Sequence, residues 1–149
     1  MKAFIVEGPN TPGEFARHAA AIAARGINLY AVSLAAGGRG ADAFLARDES
    51  GVRSALTDAG IGYREVSVLT VALEDKPGTA AESAKRLADA GVNIELFVPV
   101  DITDGKATIV LGVDKVDEAQ RVLSDKLTEW MVPAGVAKAT AKAGAGTVA

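Results

Sequence analysis

Cysteine is absent from the 149 residues. A disulfide framework, a thiolate nucleophile and a cysteine-based metal site are therefore excluded. Histidine occurs once, as His18, so a histidine-rich metal centre is excluded too, and any Ser-His pair would have to use that ring. No G-x-S-x-G or HExxH pattern is present. Aromatics are scarce, at 5%. A single-stranded RNA platform needs exposed aromatics on its central strands, and the strands predicted below carry Phe4, Phe44, Val71 and Ile109 without a matching basic pattern. Basic residues do not dominate: 16 Lys and Arg face 19 Asp and Glu, a net charge of -3, which argues against a nucleic-acid surface. No apolar run approaches the ~20 residues of a membrane span, and the first, 3–6, is too short for a secretory leader. The expectation is a cytoplasmic, non-enzymatic protein with no catalytic residue, metal or cofactor, and with no nucleic acid or membrane as partner.

Aliphatic residues and a repeat are what the chain does have. Asp75-Lys76-Pro77-Gly78-Thr79-Ala80-Ala81 leads into a helical pattern and then Gly91-Val92-Asn93-Ile94. A weaker copy stands earlier, Asn10-Thr11-Pro12-Gly13-Glu14-Phe15-Ala16, followed by Gly26-Ile27-Asn28-Leu29. Pro77 minus Pro12, Gly78 minus Gly13 and Asn93 minus Asn28 are each 65. A fixed offset of this kind marks one structural unit written twice. The units are expected over 1–66 and 67–132, sharing an interface because units so small bury little surface alone. Residues 133–149 are rich in Ala, Gly and Lys and are expected to be a mobile tail, with a short helix over 134–142 as the alternative.

Within the first unit, strands are predicted over 3–6, 28–34, 42–46 and 63–66. Gly37-Gly38-Arg39-Gly40 reads as a hairpin turn, since it lacks the lysine and the context of a phosphate loop. One helix begins near Pro12 or Gly13, with Phe15, Ala19, Ile22 and Ala23 as its apolar face. It ends at Gly26, and a second helix covers 52–59. His18 is expected to be partly exposed on the helix flank. In the second unit, strands are predicted over 69–73, 93–98, 106–111 and 127–132. Asp104-Gly105 is the hairpin signal. The helix face is Ala80, Ala84, Leu87 and Ala88, and a second helix spans 117–123, with Asp114, Asp117 and Glu118 dressing its positive end. Each unit is thus βαββαβ, the ferredoxin-like α+β arrangement, with antiparallel strands and helices on one face. No Gly/Ser/Pro linker separates the units, so rigid coupling is expected.

The chemistry open to such a chain lies at its two strand-turn-helix junctions. Backbone N–H groups at a helix N-terminus lack partners and favour an anion such as a carboxylate. Pro77 starts the helix, Gly78 permits close approach, and Asn93 offers both a donor and an acceptor. The alternative is purely structural: Asp75 caps the helix, Gly78 suits the turn, and Gly91-Val92-Asn93 is a helix exit.

These residues also resemble the signature of the ACT domain, a small βαββαβ module that binds amino acids and related metabolites, usually to regulate metabolic enzymes. The resemblance covers residues 1–132 and is that of a free-standing tandem ACT protein. It implies a small-molecule ligand, an amino acid, held between ACT-like units by Asp75, Pro77, Gly78, Thr79 and Asn93. Asn10, Pro12, Gly13 and Asn28 form the pseudo-equivalent site, in which Asn10 replaces the aspartate. Ala80 departs from the leucine common in the family. The resemblance further implies a homodimer or higher oligomer, and leaves open a module that docks on a partner metabolic enzyme without any ligand.

Overall fold

The computed structural model describes residues 1–135. Ten elements follow in order: β1 Lys2–Pro9, α1 Glu14–Ala23, β2 Tyr30–Ala36, β3 Arg39–Leu45, α2 Glu49–Asp58, β4 Arg64–Glu74, α3 Thr79–Asp89, β5 Ile94–Thr103, β6 Lys106–Val113 and α4 Val116–Val122. The strands form one six-stranded sheet in the order β2-β3-β1-β4-β6-β5, with every neighbouring pair antiparallel.

β4 is the hinge of this arrangement. Its first residues pair with β1, from Ile5↔Arg64 to Lys2↔Ser67. From Ser67↔Val113 to Glu74↔Lys106 its other edge pairs with β6. The strand runs through positions 66 and 67 unbroken, and so both closes the run β1-α1-β2-β3-α2-β4 and opens the run β4-α3-β5-β6-α4. The expected α+β, ferredoxin-like architecture is present.

Side-chain alternation along the strands places all four helices over one face. Phe4, Val6 and Phe44 meet Ile22 of α1 and Val52, Ala55 and Leu56 of α2. Leu69, Val71, Leu73, Ile109 and Leu111 meet Leu87 of α3, Ala119 of α4 and the following Leu123. The opposite face is also filled, by Ala3, Ile5, Ala43, Leu45, Val66, Val68, Val110 and Val132. The sheet curls around this third cluster until its two edge strands meet, where Tyr30 Oη donates to the Pro99 carbonyl at 3.1 Å.

Three local expectations need correction. The buried stripe of α1 is His18 and Ile22, one position round from the predicted face; Phe15 is 43% exposed, and Ala23 is exposed. In α3 the buried residues are Ser83 and Leu87, while Ala80 and Ala88 face out. The predicted strand over 127–132 is reduced to a single bridge, Leu127↔Val71, flanked by Ala72 N–H to Lys126 O and Thr128 N–H to Thr70 O. The reason is competition for one edge: β1, with Met1 O accepting from Val68 N–H, already occupies the first half of β4. The chain then crosses the helix-free face as a strap. Trp130 meets Tyr30 edge-on at 5.5 Å between centroids, Val132 is buried, and the Val132 carbonyl accepts from Arg47 Nε. Among the described residues no helix is long and apolar enough to cross a membrane. The tail expected over 133–149 falls beyond the described residues from position 136 onward.

Candidate functional site

At the first junction β1 ends at Pro9, and Asn10 N–H donates to Gly38 O of the β2–β3 hairpin at 3.1 Å. The chain turns through 11–13 into α1. Gly13 takes φ 89° at the helix start, and no side chain caps the helix. Only glycine adopts that conformation without strain. Across from this turn run β2 and β3. Between them lies a cavity of about 300 Å³, lined by Asn10, Gly13, Phe15, His18, Ser33 and Asp42 among others.

The cavity has a polar floor. Ser33 Oγ donates to Asp42 Oδ1 at 2.6 Å, and His18 Nδ1 lies 2.7 Å from Asp42 Oδ2. Arg17 Nη2 lies 3.2 Å from His18 Nε2 and donates to Glu14 Oε2 at 3.1 Å. The same Glu14 oxygen is 3.6 Å from His18 Nε2. His18 and Asp42 are only 3% and 5% exposed, which overturns the expectation of a histidine on the helix flank. Glu14, His18 and Ile22 follow one another at i, i+4 and i+8, the inward line of the helix as it actually packs. Among the described residues, every buried side-chain nitrogen and oxygen has a hydrogen-bond partner, and no group of three or more metal-capable side chains exists.

The second junction is built differently. Asp75, Lys76, Pro77 and Gly78 are exposed. Asp75 does not cap α3: its backbone N–H donates to Gly105 O at 2.9 Å, and the N-cap is Gly78, at φ 95° with no side-chain bond. Thr79 Oγ1 donates back into the turn, to Glu74 O at 2.8 Å. Lys76 pairs with Glu74, and that hydrogen bond holds the Glu74 carboxyl below its ordinary value and the Lys76 ammonium above its own. Asn93 uses its backbone N–H on Asp114 Oδ1 at 2.8 Å, and its side chain is exposed.

The predicted residues therefore part company. Asn10 and Gly13 share the first cavity, with Pro12 on the exposed turn beside it. Asn28 is elsewhere: its Nδ2 donates to Pro133 O at 2.7 Å, under the strap. Glu14, Ser33 and Asp42 were not singled out from the sequence. A signal existed for one of them, since Asp42 stands two residues before Phe44 in a predicted strand, and alternation turns it to the same inward face.

The sequence matches no family model and no curated protein. Several solved structures are similar in fold. Protein BT0572 of Bacteroides thetaiotaomicron matches 83% of this chain and 86% of its own, with 21% identity and a TM-score of 0.67. The ligand-free regulatory subunit of aspartate kinase from Thermus thermophilus matches 83% of this chain and 90% of its own, with 21% identity and a TM-score of 0.58. The aspartate kinase of Synechocystis matches 91% of this chain but 27% of its own, with 19% identity and a TM-score of 0.59. Together with the element order, these likenesses define an α+β fold of the ferredoxin-like, ACT type.

Proposed function

We propose that the chain is a non-catalytic regulatory protein of two ACT-like units, 1–66 and 67–132, that binds an amino acid. The carrying observation is the cavity of about 300 Å³ at the first junction. It sets an uncapped helix N-terminus, suited to a carboxylate, beside polar groups that suit an ammonium. The fold shared with an aspartate kinase regulatory subunit supports a regulatory reading. The weight thus moves from the motif at Asp75, Pro77, Gly78, Thr79 and Asn93 to its weaker copy at Asn10, Pro12 and Gly13. Binding regulates only if the ligand has different affinities for two states of the protein or of its assembly.

The test is a thermal-shift and calorimetric screen of the proteinogenic amino acids. A ligand at a hundred times its Kd adds about 2.7 kcal/mol, a melting shift of about 5–11 °C for a chain of this size. Gly13→Val should abolish that shift. Gly78→Val provides the matched control: it imposes the same positive-φ strain (φ 95° against 89°) and should leave binding intact. No shift and no heat with any amino acid would sink the reading.

A second reading is a docking module. Leu34 on β2 and Ile102 on β5 are 70% and 60% exposed, and both strands are sheet edges, which invite pairing. A homodimer, a higher oligomer or a partner metabolic enzyme would use them. Light scattering that finds only monomers at high micromolar concentration would remove the self-assembled form.

A further inference from the structure

The polar floor of the first cavity exceeds what the fold requires. The same corner of the second unit is built without it. Ser83 stands 65 residues after His18, and Val6, opposite Asp42, corresponds to Val71, opposite Ile109, so the cross-strand pair Ser33↔Asp42 of β2 and β3 is matched by Pro99↔Ile109 of β5 and β6. Burying a histidine and a carboxylate costs desolvation that an apolar corner avoids. His18 is moreover the chain's only histidine, and it borders a cavity.

For a neutral ring, the network also assigns the imidazole proton. A guanidinium can only donate, so Arg17 Nη2, at 3.2 Å, donates to His18 Nε2. His18 Nδ1 therefore carries the proton and donates to Asp42 Oδ2, 2.7 Å away. This assignment follows from the hydrogen-bond network. Each carboxylate oxygen of Asp42 is engaged, Oδ2 by His18 and Oδ1 by Ser33, and Asp42 so holds the ring in that tautomer. What faces outward is an acceptor pair, His18 Nε2 and Glu14 Oε2, 3.6 Å apart. One cation already sits on it: the guanidinium of Arg17, whose side chain is 54% exposed. In the second unit the position of Arg17 is held by Glu82, so the resident cation belongs to this corner alone.

We propose that His18 and Glu14 form a specificity subsite for a cationic nitrogen group at the far end of a small ligand, a side-chain or terminal ammonium or guanidinium and not an α-ammonium, and that Arg17 is its built-in competitor. This rests on the first cavity being the ligand site. The ligand's N–H donors replace those of Arg17 on Nε2 and Oε2, and the freed Arg17 swings to solvent from the helix surface. Asp42 and Ser33 are positioning residues, fixing the ring that presents the acceptor.

The lone histidine makes the test direct. In the full-length, ¹⁵N-labelled protein, the ring ¹⁵Nε2 resonance of His18 is followed while L-arginine, L-lysine, agmatine and cadaverine are added, against L-citrulline and L-norleucine as isosteres of arginine and lysine with uncharged side chains. The expected result is a saturable Nε2 shift with at least one cationic compound and none with the matching isostere. Arg17→Ala, a surface change, should tighten binding of that compound about 2–5-fold, the loss of one exposed ion pair as competitor. Equal responses to citrulline and arginine, or to norleucine and lysine, overturn the inference, as does unchanged or weaker binding in Arg17→Ala. Silence with every cation up to tens of millimolar also overturns it. The amino-acid reading is separable from this one. If agmatine or cadaverine binds and no amino acid does, that reading fails and the subsite stands. If calorimetry shows an amino acid binding with no movement of His18, the subsite fails and that reading stands.

Discussion

His18 and Ile22 occupy successive turns of one helix line, yet they hold the fold in different ways. Ile22 contributes buried apolar surface, as does Leu87 at the same place in α3. Either residue changed to alanine should cost about 2–5 kcal/mol. Phe15, 43% exposed and stacked on Phe44 at 6.2 Å, should cost distinctly less, and urea unfolding at constant m-value separates the cases. Asp42→Ala leaves the His18 ring N–H and the Ser33 hydroxyl without their acceptor, at about 1–3 kcal/mol for each orphaned group. Ser83→Ala removes only a bond to the Thr79 carbonyl of its own helix and should be near neutral. Glu65 carries a pH signature. Its hydrogen bonds from Arg53 hold its carboxyl below the ordinary glutamate value of 4.5, and raise Arg53 in turn. A depressed carboxyl stabilises the fold above its unfolded value and loses that contribution as pH falls through the folded one. Glu65→Gln should therefore flatten the stability profile below about pH 4.5 and leave it unchanged in shape near neutrality. The effect will be small, because the pair is exposed.

At the scale of elements, β6 and the strap both pack on the helix-free face of the sheet, through Val110 and Val132. Gly112 of β6 pairs with Val68 of β4 on one side and Leu96 of β5 on the other. A Cβ there would stand 2.9 Å from Leu96 Cβ and 2.9 Å from Val66 Cγ1. Gly112→Ala should thus destabilise by about 1–3 kcal/mol through overpacking, measurable as a lowered urea midpoint. Gly105→Ala, with open space but a positive φ of 72°, tests strain alone. The strap is the stronger element. Trp130 and Val132 cover the helix-free cluster, and Arg47 and Asn28 hold its end through backbone carbonyls. Trp130→Ala should cost about 3–5 kcal/mol if its contact with Tyr30 is a core contact, whereas a cost below 1 kcal/mol would mean that the strap is only laid on the surface. Truncation before Leu127 should cost at least as much, and should raise the hydrogen exchange of Ala72, whose N–H donates to Lys126 O, as that edge of β4 opens.

For the whole molecule, the shared strand predicts one cooperative unfolding transition. β4 pairs with β1 through one end and with β6 along the other, so it alone joins the β2-β3-β1 and β6-β5 parts of the sheet. Calorimetric and van't Hoff enthalpies should agree, and a chain ending at residue 63, before β4, should fail to fold alone. Two separated transitions would contradict this. Much of that architecture is legible in the chain itself. The 65-residue offset, the turn chemistry at Gly37-Gly38 and Asp104-Gly105, and the glycine-marked helix starts are local signals, and local signals act through backbone conformation that each segment carries with it. The α+β order, the absence of a linker and the place of Asn10 and Gly13 at a junction all follow from them. What local pattern could not settle were matters of competition between distant segments. Residues 127–132 have the composition of a strand, but β1 had already taken the edge they needed. Phe15 and His18 were both available to the buried side of α1, and the outcome depended on Asp42, 24 residues away, arriving opposite the helix through the register of β3. Alternation alone could have turned Asp42 inward; only the packing of α1 on the sheet could pair it with His18, because a buried carboxylate selects, from everything that reaches it, the group that can donate to it.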